Sequence, residues 1–170
     1  MAETRIQDGV AGGLSVVPLP QDFDRWEELL DLILSSFRYM IGVIDPPSST
    51  FRLTPGSLRD KAAGEAVFLA LLDGRMVGCV FLAEKKDHFY LGKLAIDPTY
   101  QGRGIGRRLV EAAEGHARAV GKPVIELQVR VELTRNQATF RRLGFRETNR
   151  TAHAGFDRAT SITMRKDLQP

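Results

Sequence analysis

The chain has 170 residues, 43% hydrophobic and 26% charged, with a net charge of +3. That balance suits one soluble domain with its own core and excludes a disordered or collagen-like chain. No apolar run approaches the ~20 residues of a bilayer-crossing helix, and one cysteine (Cys79) with three histidines excludes an internal disulfide and argues against a metal cluster.

Residues 1–13, ending Gly9-Val10-Ala11-Gly12-Gly13, read as a flexible leader before a single domain spanning 14–170. The leader lacks the basic start and apolar stretch of a signal peptide, so a reducing cytoplasm is the expected setting. A short strand is predicted around Leu14 to Leu19. Phe23, Trp26, Leu29, Leu30, Ile33, Leu34 and Phe37 then recur at steps of three and four, the spacing of an amphipathic helix. Asp45-Pro46-Pro47-Ser48-Ser49 breaks the pattern inside an unusually apolar loop containing Tyr39, Met40, Ile41, Val43, Ile44 and Phe51. A short helix restarts at Thr54-Pro55, with the threonine as cap and the proline at the first helical position.

Two apolar runs, Ala66 to Leu72 and Met76 to Ala83, flank Asp73-Gly74, a hairpin signal because both turn positions need positive φ. A third run, Phe89 to Ile96, follows the polar turn Lys85-Lys86-Asp87-His88 and completes an antiparallel meander. Ile105, Leu109, Ala112, Ala113, Ala117 and Val120 mark a helix closed by Gly121 and Pro123. Val124 to Val131 reads as a strand. Thr134-Arg135-Asn136-Gln137 reads as a capping box opening a helix that runs to Leu143 and stops at Gly144. Two strands follow, near Phe145 to Thr151 and Ser161 to Lys166. The predicted order is β-α-α-β-β-β-α-β-α-β-β, an α+β fold with a mixed sheet and helices on both faces.

Charge is unevenly spread. From Arg103 to Arg150 eleven Lys/Arg face five acids, a net of +6, which leaves −3 on the rest. A basic half suits a compact polyanion bound on one side. Only Phe140 lies amid the arginines before Phe145, too few aromatics for a nucleic-acid stacking platform, so no nucleic-acid partner is expected. No membrane partner is expected either.

The sharpest signal is Gln101-Gly102-Arg103-Gly104-Ile105-Gly106-Arg107-Arg108, where a strand ends and glycines at alternate positions open a helix. Glycines let backbone N–H groups converge on an anion, the helix dipole adds positive potential, and Arg103, Arg107 and Arg108 add charge. No lysine follows Gly106, so the triphosphatase loop is not matched, and G-x-G-x-G departs from the dinucleotide fingerprint.

The segment resembles the cofactor motif [QR]-x-x-G-x-[GA] of the GCN5-related N-acetyltransferase (GNAT) superfamily. Phe140-Arg141-Arg142-Leu143-Gly144-Phe145 is similar to the ending of that family's next helix. The resemblance implies a GNAT-like fold, in which the meander leads into a β-α-β unit whose parallel strands splay. It implies acetyl-CoA as co-substrate and direct transfer of the acetyl group to an amine of a small molecule or peptide. It also allows a homodimer. Cofactor contacts would fall on Gln101, Gly102, Arg103, Gly104, Ile105, Gly106 and Arg107. Leu94, Ala95 and Ile96 would offer main-chain groups to the pantetheine arm, and Asn136 and Phe140 would approach from the next helix.

Glu84 and Glu126 are the candidate general bases, near the splayed strands with Asp87 and His88. The family often has a proton-donating tyrosine where Phe140 stands, and Tyr90, Tyr100 and Ser161 are candidate substitutes. That departure favours the alternative of a non-catalytic acyl-CoA-binding or sensing module of the same fold. Phe37, Tyr39 and Met40, with Ile44, would make an apolar acceptor wall facing His153, Asp157 and Arg158, the last a candidate partner for an acceptor carboxylate. Cys79 reads as core.

Overall fold

The computed structural model describes residues 13–169, so the leader expected over 1–13 lies outside the described residues except for Gly13. The strands are β1 (Leu14–Pro18), β2 (Ala66–Leu72), β3 (Arg75–Glu84), β4 (Phe89–Ile96), β5 (Val124–Arg130), β6 (Arg146–Thr151) and β7 (Ser161–Asp167). The helices are α1 (Trp26–Phe37), α2 (Pro55–Gly64), α3 (Ile105–Val120) and α4 (Thr134–Arg142). The predicted order of elements is the observed one. No helix among the described residues is long and apolar enough to cross a membrane.

The seven strands form one mixed sheet in the order β1-β2-β3-β4-β5-β7-β6. All neighbours are antiparallel except β4 and β5. Its two faces are covered by different helices. On one, Ile105, Leu109, Ala113 and Ala117 of α3 pack in a core with Val80, Leu82, Phe89, Leu91, Ile125 and Leu127. On the other, Leu29 and Ile33 of α1 and Leu58 of α2 meet Leu69, Cys79, Phe81 and Ala95. Leu29 and Ile33 are fully buried, each contributing about 1.5–3 kcal/mol. The β2–β3 hairpin turns through Asp73 (φ 49°) and Gly74 (φ 81°), as the dipeptide demands. The polar edge strand β6 is exposed along its whole length.

The α4 start differs from the capping-box expectation. Leu133 is the cap, without a side-chain hydrogen bond, and Thr134 is already helical. Gln137 is buried instead, and its Nε2 donates to the carbonyls of Arg130 (3.1 Å) and Val131 (3.0 Å) at the end of β5. The two carbonyls at the end of β5, one of which also accepts the Leu133 N–H at 3.0 Å, outcompete the cap as partners for that amide.

The feature that makes a site is the divergence of β4 from β5. They pair only at Phe89 with Ile125 and Tyr90 with Glu126. Farther along, β4 carries one extra residue between Gly92 and Ala95, which face Phe81 and Cys79 of β3. Lys93 sits in this bulge with φ 48°. A bulge bends its strand, and β4 turns away while β5 continues beside β7. The parallel strands splay as the resemblance implied.

Candidate functional site

A cleft of about 1690 Å³ fills the space opened by the splay, between β4, β5, the start of α3, α4 and the loop after α1. At one end lies the glycine turn. Pro98–Tyr100 forms a single 3-10 turn, and Gly102 (φ 76°) and Gly104 (φ 80°) follow in the left-handed region. Gly104 caps α3 and has no side chain with which to satisfy the N–H groups of the first turn. The first backbone bond into the helix runs from the Arg108 N–H to the Gly104 C=O, 3.2 Å. None of the N–H groups of residues 101–107 meets an acceptor among the described residues. Gln101, Gly102, Gly104, Ile105, Gly106 and Arg107 line the cleft. Open donors at a helix start, beside a cationic side chain, constitute an anion cradle.

The arginines of this turn separate in space. Arg107 lines the cleft. Arg103 is exposed and stands over the Tyr100 ring, 5.3 Å from its centroid, outside the cleft wall. Arg108 reaches back to the Leu14 carbonyl at 3.2 Å and holds β1. Charge for a polyanion comes instead from Arg107 and, across the cleft, from Arg135 and Arg142 of α4. Sequence reasoning had not singled out these two for the site, although i and i+7 on one helix share a face.

Along β4 the three expected contacts part ways. Leu94 and Ile96 line the cleft. The Ile96 N–H is already taken by Ser36 Oγ at 3.2 Å, and the Gln101 side chain donates to the Ile96 carbonyl at 3.4 Å. Asp97 N–H bonds the Val77 carbonyl of β3, so by alternation Leu94, like Ile96, presents its main-chain groups to the open side. Ala95 is fully buried opposite Cys79, its side chain in the core beneath α1, and it adds nothing to the cleft wall.

Asn136 and Phe140 line the cleft from α4. Phe140 packs edge-on against Phe145 at 5.8 Å. Asn136 Nδ2 donates to the Tyr39 hydroxyl at 2.7 Å and so ties α4 to the loop after α1. Burial raises the Tyr39 pKa, and the Asn136 bond offsets part of that rise. Phe37 and Met40 line the same wall, as does His153 opposite. His153 N–H donates to Thr160 Oγ1 at 2.8 Å, and its Nδ1 also meets that hydroxyl.

Neither candidate base lines the cleft. Glu84 is exposed at the far end of β3, 3.5 Å from Lys122 Nζ. Glu126 lies on β5 outside the cleft wall, 3.4 Å from Arg165 Nε and 3.8 Å from His88 Nε2. Arg158 also stays out of the cleft wall, with its guanidinium 3.7 Å from the Asp45 carboxylate. Among the described residues, Glu132 is the one carboxylate side chain in the wall; its Oε2 accepts the Asp45 N–H at 2.9 Å. Tyr90 lines the cleft where the strands part. Burial and the neighbouring Glu126 raise its pKa, partly offset by the Gln128 N–H, so the phenol stays protonated at neutral pH.

The profile of the Acetyltransferase (GNAT) family matches residues 26–145, and the chain belongs to that family. An IAA acetyltransferase of Azospirillum brasilense is 31% identical over 145 residues, covering 84% of this chain and 92% of that one. An uncharacterised N-acetyltransferase of Methanocaldococcus jannaschii is 31% identical over 90 residues, 49% of this chain, and the match spans only 40% of its own length. Among solved structures, the PaiA N-acetyltransferase of Thermoplasma acidophilum in complex with coenzyme A has a TM-score of 0.76 at 17% identity. That match covers 91% of this chain and 98% of that one.

Proposed function

We propose that this protein is an acetyl-CoA-dependent N-acetyltransferase that acts on an amine of a small molecule or peptide by direct attack. The observation that carries the reading is the row of open N–H groups at residues 101–107, in the wall of a cleft between splayed strands. A diphosphate fits donors of that kind, with Arg107, Arg135 and Arg142 for further phosphate charge. Leu94 offers main-chain groups to an extended arm lying in the splay. Bound acetyl-CoA supplies the thioester carbonyl.

Only a neutral amine attacks that carbon. Of the cleft-lining side chains, His153 is the one we assign to remove the ammonium proton, directly or through a water, because its Nδ1 is anchored on Thr160 and its ring stands in the wall. A new C–N bond forms, the C–S bond breaks, and the thiolate departs with the electron pair. Phe140 has no proton to give. The protonated Tyr90 phenol at the apex of the splay is the group we assign to that step. The single cysteine, buried in the core, suits a reducing cytoplasm.

The test is thermal stability with acetyl-CoA. Ligand at about 100 times its Kd adds about 2.7 kcal/mol, about 5–10 °C for a chain of this size. Gly104→Val, which puts a β-branched residue at φ 80°, removes the shift. A shift that survives overturns the cradle. Phe140 favours a second reading, a binding module of the same fold that has lost transfer; it predicts the same shift with no release of free thiol across an amine panel.

A further inference from the structure

The acceptor side of the cleft holds a lysine in an unusual place. Lys93 occupies the β4 bulge in the left-handed region, at φ 48°, and lines the cleft beside the 3-10 turn Ser49–Arg52. Its ammonium has one hydrogen-bond partner among the described residues, the hydroxyl of fully buried Thr50, at 2.7 Å. An ammonium carries three donors, and no carboxylate lies within 4 Å of this one among the described residues. Glu65, the acid whose field reaches Lys93, is held 2.6 Å from Lys61 Nζ. Burial, then the like charge of Lys61, hold the Lys93 pKa below the usual lysine range, with Glu65 pulling the other way.

The surroundings extend the point. Arg52 and Lys61 line the cleft with Lys93; Glu65 is engaged by Lys61, and among the described residues no carboxylate, that of Glu132 included, forms an ion pair with Lys93. A dicationic or polycationic amine would meet repulsion in such a wall. An acceptor with its own anion would instead complete the lysine's hydrogen bonding. The same positive field disfavours an ammonium and so favours the neutral, nucleophilic amine. Arg158, the guanidinium that sequence alone offered for this duty, is engaged by Asp45 outside the cleft wall.

We propose that Lys93 is a specificity-determining residue, and that the acceptor is an amine with a carboxylate, which Lys93 receives beside Thr50 while its apolar body lies along Phe37, Tyr39 and Met40. This assignment rests on the transferase reading above.

The experiment uses matched probes: leucine and phenylalanine against leucinamide and phenylalaninamide, with acetyl-CoA saturating. The acids are expected to have the higher kcat/KM. In Lys93→Met the acid-to-amide ratio falls by about 10- to 100-fold, the worth of a charge-assisted hydrogen bond. Lys93→Arg restores part of it. An unchanged thermal shift with acetyl-CoA shows that each variant is folded. Transfer that prefers the amides, or a ratio that Lys93→Met leaves in place, overturns the Lys93 assignment and spares the transferase. The same pairs are titrated calorimetrically into protein saturated with desulfo-CoA. Carboxylate-dependent binding without any transfer supports Lys93 and sinks the transferase reading. Binding of neither member overturns Lys93.

Discussion

At one end of the cleft the donors belong to the main chain: seven successive N–H groups around Gly102 and Gly104, with no acceptor of their own among the described residues. At the other end side chains brought from a distance carry key contacts, Lys93 to Thr50 across 43 residues and Asn136 to Tyr39 across 97. A cradle of amides recognises charge and is indifferent to what lies beyond the phosphates. It is fixed by backbone conformation and changes little with side-chain identity outside its glycines. On the proposed function, cofactor recognition and acceptor choice would be physically separable on one strand, β4, which borders both.

Separability is open to direct attack. The largest expected effect is at the side-chain end. His153→Ala should lower kcat by about 10²- to 10⁴-fold, the usual worth of a positioned proton acceptor. Acetyl-CoA affinity should stay within about 2-fold. Steady-state rates and a calorimetric Kd for coenzyme A check both halves. A fall in cofactor affinity matching the fall in kcat would merge the two ends into one unit. A smaller effect sharpens the cradle end. Arg107→Glu should weaken coenzyme A binding by about 10-fold, the lower range for a charge-assisted contact. Arg103→Glu, whose guanidinium stands over the Tyr100 ring outside the cleft wall, should change it by no more than about 2-fold. Equal losses would mean that net charge near the turn, and not the geometry of its wall, sets affinity.

The same division explains what the sequence made legible. Amides that must converge force glycines at fixed offsets. Gly102, Gly104 and the helix after them could therefore be read directly, as could the Asp73-Gly74 hairpin. The acceptor end left weaker traces. Lys93 sits in a strand otherwise apolar or aromatic apart from Gly92, and only the extra residue of the bulge turns it toward Thr50. Glu126 alternates with Ile125 and Leu127 as a half-buried strand residue should. Nothing local says that Arg165 of β7 stands 3.4 Å away to neutralise it. Arg158 and Asp45 are 113 residues apart, and their pairing removes a cation that the loop composition had placed at the rim. The capping box failed for a related reason. Gln137 is drawn by the carbonyls of Arg130 and Val131 at the end of β5, a tertiary demand that a four-residue pattern cannot express.

A separate measurement, on stability, tests the strand on which both ends depend. Cys79 lies fully buried on β3 behind the bulge, and its thiol donates to the Lys93 carbonyl at 3.4 Å. Burial pushes its pKa from 9.0 up to about 12, against a smaller lowering by the Ala95 N–H. Above pH 9.0 the unfolded chain releases this proton while the folded chain keeps it, so the unfolded state gains and stability falls as pH rises toward 12. One such group contributes a slope of at most about 1.4 kcal/mol per pH unit. Urea midpoints measured from pH 8 to 10.5 should therefore decline more steeply for the native sequence than for Cys79→Ala, the two curves converging in slope near pH 8. Equal slopes throughout would mean that the thiol already meets water in the folded protein. The β3–β4 contact under the bulge would then be open, and the glycine turn and Lys93 would lose the rigid strand that keeps their tasks apart.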